Sequence, residues 1–184
     1  MRSAVNIVDC TAFGDRALEY FTNGVGATAI GKFSQQNNLT GGNSTTLGDS
    51  TLRYGTGQQS VAIGYVTAQH QTIANYGVWI GAGAGGGTSG QVGHGDYQVV
   101  IGYLAHPNGN GSTLNTVVGA QSKYLGSGSE DAALGHFTLF NSTGGRDSAL
   151  GCYAGFSNVT GIENLWAGYS AGNDAVNQAT NLTN

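Results

Sequence analysis

A short apolar phrase closed by glycine returns along the whole chain and is its dominant pattern. One copy reads Val61-Ala62-Ile63-Gly64, and ten glycines close such copies: Gly14, Gly31, Gly48, Gly64, Gly81, Gly102, Gly119, Gly135, Gly151 and Gly168. Successive glycines are 16 or 17 residues apart, except for an interval of 21 residues between Gly81 and Gly102. A period held over ten copies predicts a repeat architecture.

The length of the period selects one kind of repeat. Helix-pair repeats need more than about thirty residues, whereas 16 or 17 residues suit one coil of a parallel β-solenoid. Coils stack about 4.8 Å apart, so ten of them predict a rod of roughly 45 to 50 Å. No linker interrupts the repeat, and we expect one all-β domain over residues 1–184. Asn181-Leu182 repeats Asn164-Leu165, so we expect a fragment truncated in an eleventh coil.

Alternation along each strand predicts which side chains share a face. In each strand, the middle of the three residues before the glycine points to the face opposite its two neighbours. Trp79 and Trp166 are such middle residues, which favours packing in a core or a subunit interface over ligand binding. A strand that is apolar or small on both faces is expected to be covered on both, the outer one most simply by another copy of the rod. The residue before each glycine is predicted to be structural core: Phe13, Ile30, Leu47, Ile63, Ile80, Ile101, Val118, Leu134 and Leu150.

Composition agrees with a turn-rich solenoid. The chain has 33 glycines in 184 residues and only 9% charged residues, unlike a highly charged disordered tail. Gly, Asn, Ser and Thr suit the turns between strands. The third residue after each glycine is always small, such as Ser34 or Ala84, which predicts a tightly packed second strand.

Charge and cysteine positions argue against several partners. The net charge is −4 and the six basic residues are scattered along the sequence, whereas phosphate-backbone binding needs clustered cations. The apolar runs are too short for a membrane helix, so we expect no membrane insertion. Cys10 and Cys152 fall in the first and ninth coils, nearly 40 Å apart, which forbids a disulfide within one chain. Both are interpreted as buried small residues.

The run Ser60-Val61-Ala62-Ile63-Gly64 resembles the hallmark of YadA-like heads in trimeric autotransporter adhesins. The run from Ala149 to Gly161 is similar to the longer version found in bacteriophage tail fibres and tailspikes. This resemblance covers nearly the whole chain. It implies a left-handed parallel β-roll, a homotrimer and attachment to a host cell-surface glycan or protein. The period exceeds the coil typical of bacterial heads, which favours a phage fibre on the extracellular virion tail over an adhesin on the bacterial cell surface.

Departures from the repeat supply candidate receptor-binding residues. The 21-residue interval carries the longest connector, and one hypothesis is that it projects so that His94, Asp96 and Tyr97 contact a receptor. The alternative is a glycine-rich loop without a ligand. Tyrosines after the glycines are placed to stack on sugar rings or, alternatively, to cover neighbouring coils. They are Tyr65, Tyr103 and Tyr169.

Catalytic and metal-binding motifs are absent from the sequence. Glycoside hydrolysis uses paired carboxylates, and the only adjacent pair is Glu130-Asp131, which a solvated turn explains better. The histidines share no ligand spacing, so no cofactor or metal is predicted. The sequence therefore predicts attachment by a homotrimeric fibre without catalysis. A structural fibre spacer and, less favoured, a polysaccharide depolymerase with an inter-subunit site are the alternatives.

Overall fold

The computed structural model describes residues 6–55, 58–71, 75–86 and 95–173, and this part of the chain is an all-β parallel solenoid. No helix occurs in these ranges, so none is present there that could cross a membrane. The strands are three residues long: β1 (Asn6–Val8), β2 (Thr11–Phe13), β3 (Asn23–Val25), β4 (Thr28–Ile30), β5 (Thr45–Leu47), β6 (Val61–Ile63), β7 (Val78–Ile80), β8 (Val99–Ile101), β9 (Thr116–Val118), β10 (Ala132–Leu134), β11 (Ser148–Leu150) and β12 (Leu165–Ala167).

Ten of these strands form one parallel sheet to which each coil contributes one strand. The sheet runs from β2 through β4 to β12 in coil order, while β1 and β3 pair in a separate two-stranded sheet. Equivalent residues lie opposite each other, so that Ala62 pairs with Trp79 and Val117 pairs with Ala133. The predicted parallel β-solenoid is confirmed, and residues at the same position of the repeat form columns along the rod.

The expectation of a second strand after each glycine is wrong, because that segment is a turn with an alternating backbone. After Gly31, the second and fourth residues, Phe33 and Gln35, have left-handed φ angles of 56° and 49°. Phe33 N donates to a carbonyl of the preceding coil, whereas Gln35 N donates to Thr51 O of the next coil, each at 2.9 Å. The ladder of hydrogen bonds therefore continues through the turn. The intervening Ser34 is fully buried, as expected for the small column.

The interior of the coil is filled by the middle residue of each strand, and this corrects the predicted core. Middle residues such as Ala62, Val100 and Ala133 are fully buried. Side chains alternate along a strand, so both flanking columns must point outward when the middle one points in. Phe13 is 75% exposed and Leu150 is 59% exposed. The nine residues predicted as core lie on this outer face, where they are exposed or half-buried: Phe13, Ile30, Leu47, Ile63, Ile80, Ile101, Val118, Leu134 and Leu150.

Inside the coil, the residue before several strands of the ten-stranded sheet accepts a hydrogen bond from the backbone of the next coil. Its side-chain oxygen or sulfur takes the N–H of the equivalent residue one coil further on. Such a bond satisfies a buried donor that the strand ladder leaves without a partner. We call this series the acceptor ladder, and its bonds join Ala27 N to Cys10 Sγ, Ser60 N to Ser44 Oγ, Gly77 N to Ser60 Oγ, Asp131 N to Asn115 Oδ1, Asp147 N to Asp131 Oδ1 and Asn164 N to Asp147 Oδ1.

A buried ion pair joins two columns of the interior. Lys123 Nζ lies 2.6 Å from Asp131 Oδ2, both side chains are inaccessible to solvent, and Lys123 also donates to the carbonyl oxygen of Gly128. Burial lowers the pKa of Lys123, and the adjacent Asp131 opposes that shift. In the next coil burial raises the pKa of Asp147, although Asn164 N and Nδ2 each donate to its carboxylate at 3.0 Å and oppose that shift. The interior thus holds charge only where each group has a specific partner.

Large and small residues complement each other within a coil. Trp79 is fully buried, although most other coils have a smaller residue in its column. A Cβ atom on Gly77 or Gly85 would collide with the indole ring. The two glycines therefore leave the space that this tryptophan occupies, because a narrow interior tolerates one large side chain per coil.

The repeated glycine is required by both conformation and contact. Gly102 has a φ of 138°, and a Cβ placed on it would lie 2.5 Å from the carbonyl oxygen of Gly119 in the next coil. The other glycines of this column that have a described coil after them make the same approach. Only a residue without a side chain permits coils to stack so closely at this corner.

We expect Gly102→Ala to lower the free energy of unfolding by about 2–5 kcal/mol, because it combines overpacking with a strained φ. Gly111→Ala is the matched control, since Gly111 has a φ of 82° but nothing within 4 Å of an added Cβ. The control is expected to cost about 1 kcal/mol. Thermal unfolding measures both, and equal losses would contradict the close-approach argument.

Lys123→Met is expected to destabilise the protein by about 3–5 kcal/mol, because it leaves the Asp131 carboxylate buried without its cation. The double variant Lys123→Met/Asp131→Asn removes both charges and keeps an oxygen that can accept from Asp147 N. It should recover most of the loss in the same unfolding measurement. A single variant as stable as the original chain would show that the ion pair does not hold this coil.

Candidate functional site

The surface that follows the glycine column carries rows of side chains from successive coils. The ladder fixes their alignment, since Phe137 N donates to Ala120 O and Tyr153 N donates to His136 O of the preceding coils. We call this surface the turn side; it comprises the first, second, fifth and sixth positions after each repeated glycine. Side chains at one of these positions are neighbours along the rod, as in other solenoids.

Two of the predicted tyrosines frame a groove on the turn side. Tyr65 is 64% exposed and Tyr103 is 58% exposed, and they belong to coils on either side of the one that carries Ala82 and Gly83. We call this the tyrosine groove, a space of about 260 Å³ that Tyr65, Val66, Ala82, Gly83, Tyr103 and Leu104 line. Two coil steps separate the tyrosines by roughly 10 Å. Ala82 and Gly83 lie between the two tyrosine rings, so the groove suits the flat apolar face of a sugar ring.

An aromatic platform covers the turn side of the later coils. Phe140 stacks on Tyr124 with ring centroids 5.4 Å apart and on Phe156 at 5.0 Å. Beside this row, Phe137 and Tyr153 stack at 5.2 Å, and Phe137 also contacts Phe140. The five rings of the platform are all half-buried, so part of each remains accessible to solvent. Rings fixed in this way offer contact area with little loss of side-chain entropy.

The platform was not among the predicted site residues, although its spacing is visible in the sequence. Tyr124, Phe140 and Phe156 are 16 residues apart in succession, and Phe137 and Tyr153 are separated by the same interval. These intervals equal the local period of the glycines. Counting aromatic residues by their position in the repeat, rather than next to the glycine alone, would have found both rows.

The predicted Tyr169 lies at the edge of this platform. It is 78% exposed and contacts Tyr153 edge-on, with centroids 6.2 Å apart. It is therefore near the platform and away from the tyrosine groove, so the three tyrosines predicted together belong to two surfaces.

The predicted loop residues lie at the other end of the strand. Asp96 and Tyr97 precede β8, whereas Tyr103 follows it. Asp96 Oδ1 accepts from Asn75 N at 2.8 Å, and Tyr97 stacks on Tyr76 with centroids 5.1 Å apart. Asp96 thus supports the adjacent connector, while His94 lies outside the described residues.

The adjacent carboxylates do not form a pair. Glu130 is exposed, while Asp131 points into the coil and binds Lys123. Consecutive residues here point to opposite sides, so a solvated turn describes only Glu130. Across the described ranges, no three His, Cys, Asp or Glu side chains come together as a set of metal ligands. Cys10 and Cys152 are free and half-buried.

The outer face of the sheet is a largely apolar surface whose side chains are exposed or half-buried. We call it the apolar stripe, which consists of the residues immediately before the repeated glycines together with those two positions earlier. It includes Leu134 and Leu150 as well as Leu165 near the end of the described chain. Over nine coil steps it extends about 43 Å. Apolar surface of this extent is typical of an interface.

No family model matches the chain, and neither a curated protein nor a solved structure matches it. The structure itself has the parallel coil architecture that the resemblance to β-roll repeats implies, with each coil contributing one strand to the ten-stranded sheet and a glycine after each of those strands.

Proposed function

We propose that the chain is a trimeric attachment segment of a bacteriophage tail fibre or tailspike that binds a host cell-surface receptor without catalysis. The observation that carries the proposal is the pairing of two surfaces on one rod. The apolar stripe offers a surface that a partner would bury, and the turn side presents aromatic rings to solvent.

The apolar stripe supports self-association. Apolar side chains that are exposed or half-buried recur along the full sheet, so a partner of matching length and period buries more of them than an irregular partner would. A parallel copy of the same rod has that length and period. The number three comes from the resemblance to trimeric β-roll fibres.

The tyrosine groove and the aromatic platform support glycan binding. Pyranose rings have apolar faces that stack on aromatic side chains, and the rings here are held by neighbouring coils. Each chain of a trimer would present the same surfaces, so weak sites would gain avidity on a cell that displays many copies of one glycan. A head of a bacterial trimeric adhesin on the cell surface would use the same two surfaces and is the close alternative.

A structural spacer is a second candidate, and the regularity of the rod favours it. Equivalent strands keep their register through all ten coils of the sheet, which suits an element that holds a separate binding tip at a distance. A trimer that binds no surface glycan or protein would support this role.

We expect the purified chain to have a molar mass near three times 18.7 kDa, or about 56 kDa, by light scattering over a range of concentrations. Leu134→Lys/Leu150→Lys should lower it towards that of one chain, because both residues lie in the apolar stripe. Leu39→Lys/Val159→Lys adds the same charge at exposed connector residues and should leave the mass unchanged. A monomer at every concentration would contradict the trimer.

We expect the chain to bind on an array of bacterial surface polysaccharides. Phe140→Ala/Phe156→Ala should weaken this binding by about tenfold, because two stacked rings are lost. Leu39→Ala/Val159→Ala is the control for the loss of exposed apolar area, because both residues lie at the eighth position after a repeated glycine, outside the turn side. Tyr65→Ala/Tyr103→Ala and Asp96→Ala/Tyr97→Ala rank the tyrosine groove and the connector against the platform.

The bound polysaccharide should release no reducing ends on incubation with the chain. Release would support a depolymerase instead. If the platform, groove and connector variants all bind as the original chain does, the turn side is not the binding surface.

A further inference from the structure

Three basic side chains that are distant in sequence converge on one aromatic ring at the N-terminal end of the turn side. Arg53 Cζ lies 4.3 Å from the centroid of the Phe33 ring, Lys32 Nζ lies 4.7 Å from it and Arg16 Cζ lies 5.7 Å from it. We call these four residues the cation cluster. They come from three successive coils, and the period of the solenoid brings them together although no basic run exists in the sequence.

Arg53 is oriented by a chain of hydrogen bonds. Its Nε donates to Gln36 Oε1 at 2.8 Å, and Gln36 Nε2 donates to Glu19 Oε2 at 2.6 Å. The guanidinium also lies 5.0 Å from the centroid of the Tyr54 ring. Its position between Phe33 and Tyr54 is therefore fixed before any ligand arrives, which lowers the entropic cost of binding.

Carboxylates are present in these coils, yet they leave two of the cations without an ion pair. Asp15 and Asp49 stand next to Lys32 in its column of the repeat. Within the described ranges, neither Lys32 nor Arg53 has a carboxylate oxygen within 4 Å, whereas Arg16 Nε lies 4.0 Å from Glu19. Two like charges held over one ring without a direct ion pair form a place for a bridging anion.

Exposed tyrosines flank the cations. Tyr20 and Tyr54 occupy the same position of the repeat two coils apart, and both are exposed. His70 stacks on Tyr54 with ring centroids 4.9 Å apart. Burial, and secondarily Arg53, lower the pKa of His70, so it adds little positive charge at neutral pH. The surface thus combines the oriented Arg53 and the nearby Lys32 with ring faces suited to a sugar.

We propose that the cation cluster, together with Tyr20 and Tyr54, binds an acidic polysaccharide, with a carboxylate or other anionic group of the polymer bridging Lys32 and Arg53. This site is separate from the tyrosine groove and the aromatic platform. A polymer with one charge per sugar suits a chain of net charge −4 better than DNA, whose duplex carries one charge per ≈ 1.7 Å and would be repelled by the surrounding carboxylates.

The test measures binding of polygalacturonate fragments to the full chain by titration calorimetry, with neutral dextran and a single-stranded oligonucleotide as comparison ligands. Arg53→Gln is expected to weaken polygalacturonate binding about fivefold or more, since it removes a charge-assisted hydrogen bond. Lys32→Gln should have a similar effect, and it leaves the Arg53–Gln36 hydrogen bond in place. Arg146→Gln is the control of equal charge change, because Arg146 pairs with Glu163 in the later coils.

Tyr54→Ala should also weaken the binding of polygalacturonate. Raising the ionic strength should weaken that binding further, because the charges become screened. Thermal unfolding confirms that each variant is folded. Equal losses for Arg53→Gln and Arg146→Gln, or no binding of polygalacturonate, would overturn the site. Oligonucleotide binding as tight as that of polygalacturonate would reject a polysaccharide as its ligand. Because the platform variants are independent, a failure here leaves the proposed attachment role to its own test.

Discussion

The close approach of successive coils at the glycine column is the constraint on which the rest of the molecule depends. Each repeated glycine faces the carbonyl oxygen of the next, so the corner after every strand is fixed in both conformation and distance. With that corner fixed, the strands align in register, and the alternating turn returns the chain to the next coil. The position of a residue in the repeat then determines whether its side chain points into the coil or outward.

That assignment produces a solenoid with small and polar residues inside and many of its larger apolar residues outside. Ala62 and Ala133 lie in the interior, whereas Leu134 and Leu150 face outward. The interior also holds some branched and aromatic side chains, and buried polar groups such as Asp131 are tolerated because the acceptor ladder and Lys123 satisfy them. Hydrogen bonds between coils therefore contribute to the stability of such a chain.

The period and the glycine phrase were sufficient to predict the parallel solenoid, because the architecture follows from spacing alone. They were not sufficient to predict the direction of each side chain: the apolar Phe13 column looked like a core, and only the burial of the small middle residues shows otherwise. The stacking of Tyr124, Phe140 and Phe156 was available from their spacing. The convergence of Arg16, Lys32 and Arg53 depends on rotamers that sequence spacing leaves open.

The acceptor ladder gives the rod a direction. Where a coil has an acceptor at this position, that side chain receives the backbone N–H of the coil that follows, as Asn115 receives Asp131 N and Asp131 receives Asp147 N. During synthesis, a coil that has already formed therefore presents a ready acceptor to the segment next released by the ribosome. At these coils, growth of the fold from the N-terminus extends an existing template, whereas growth from the C-terminus would begin on donors that still lack their acceptors.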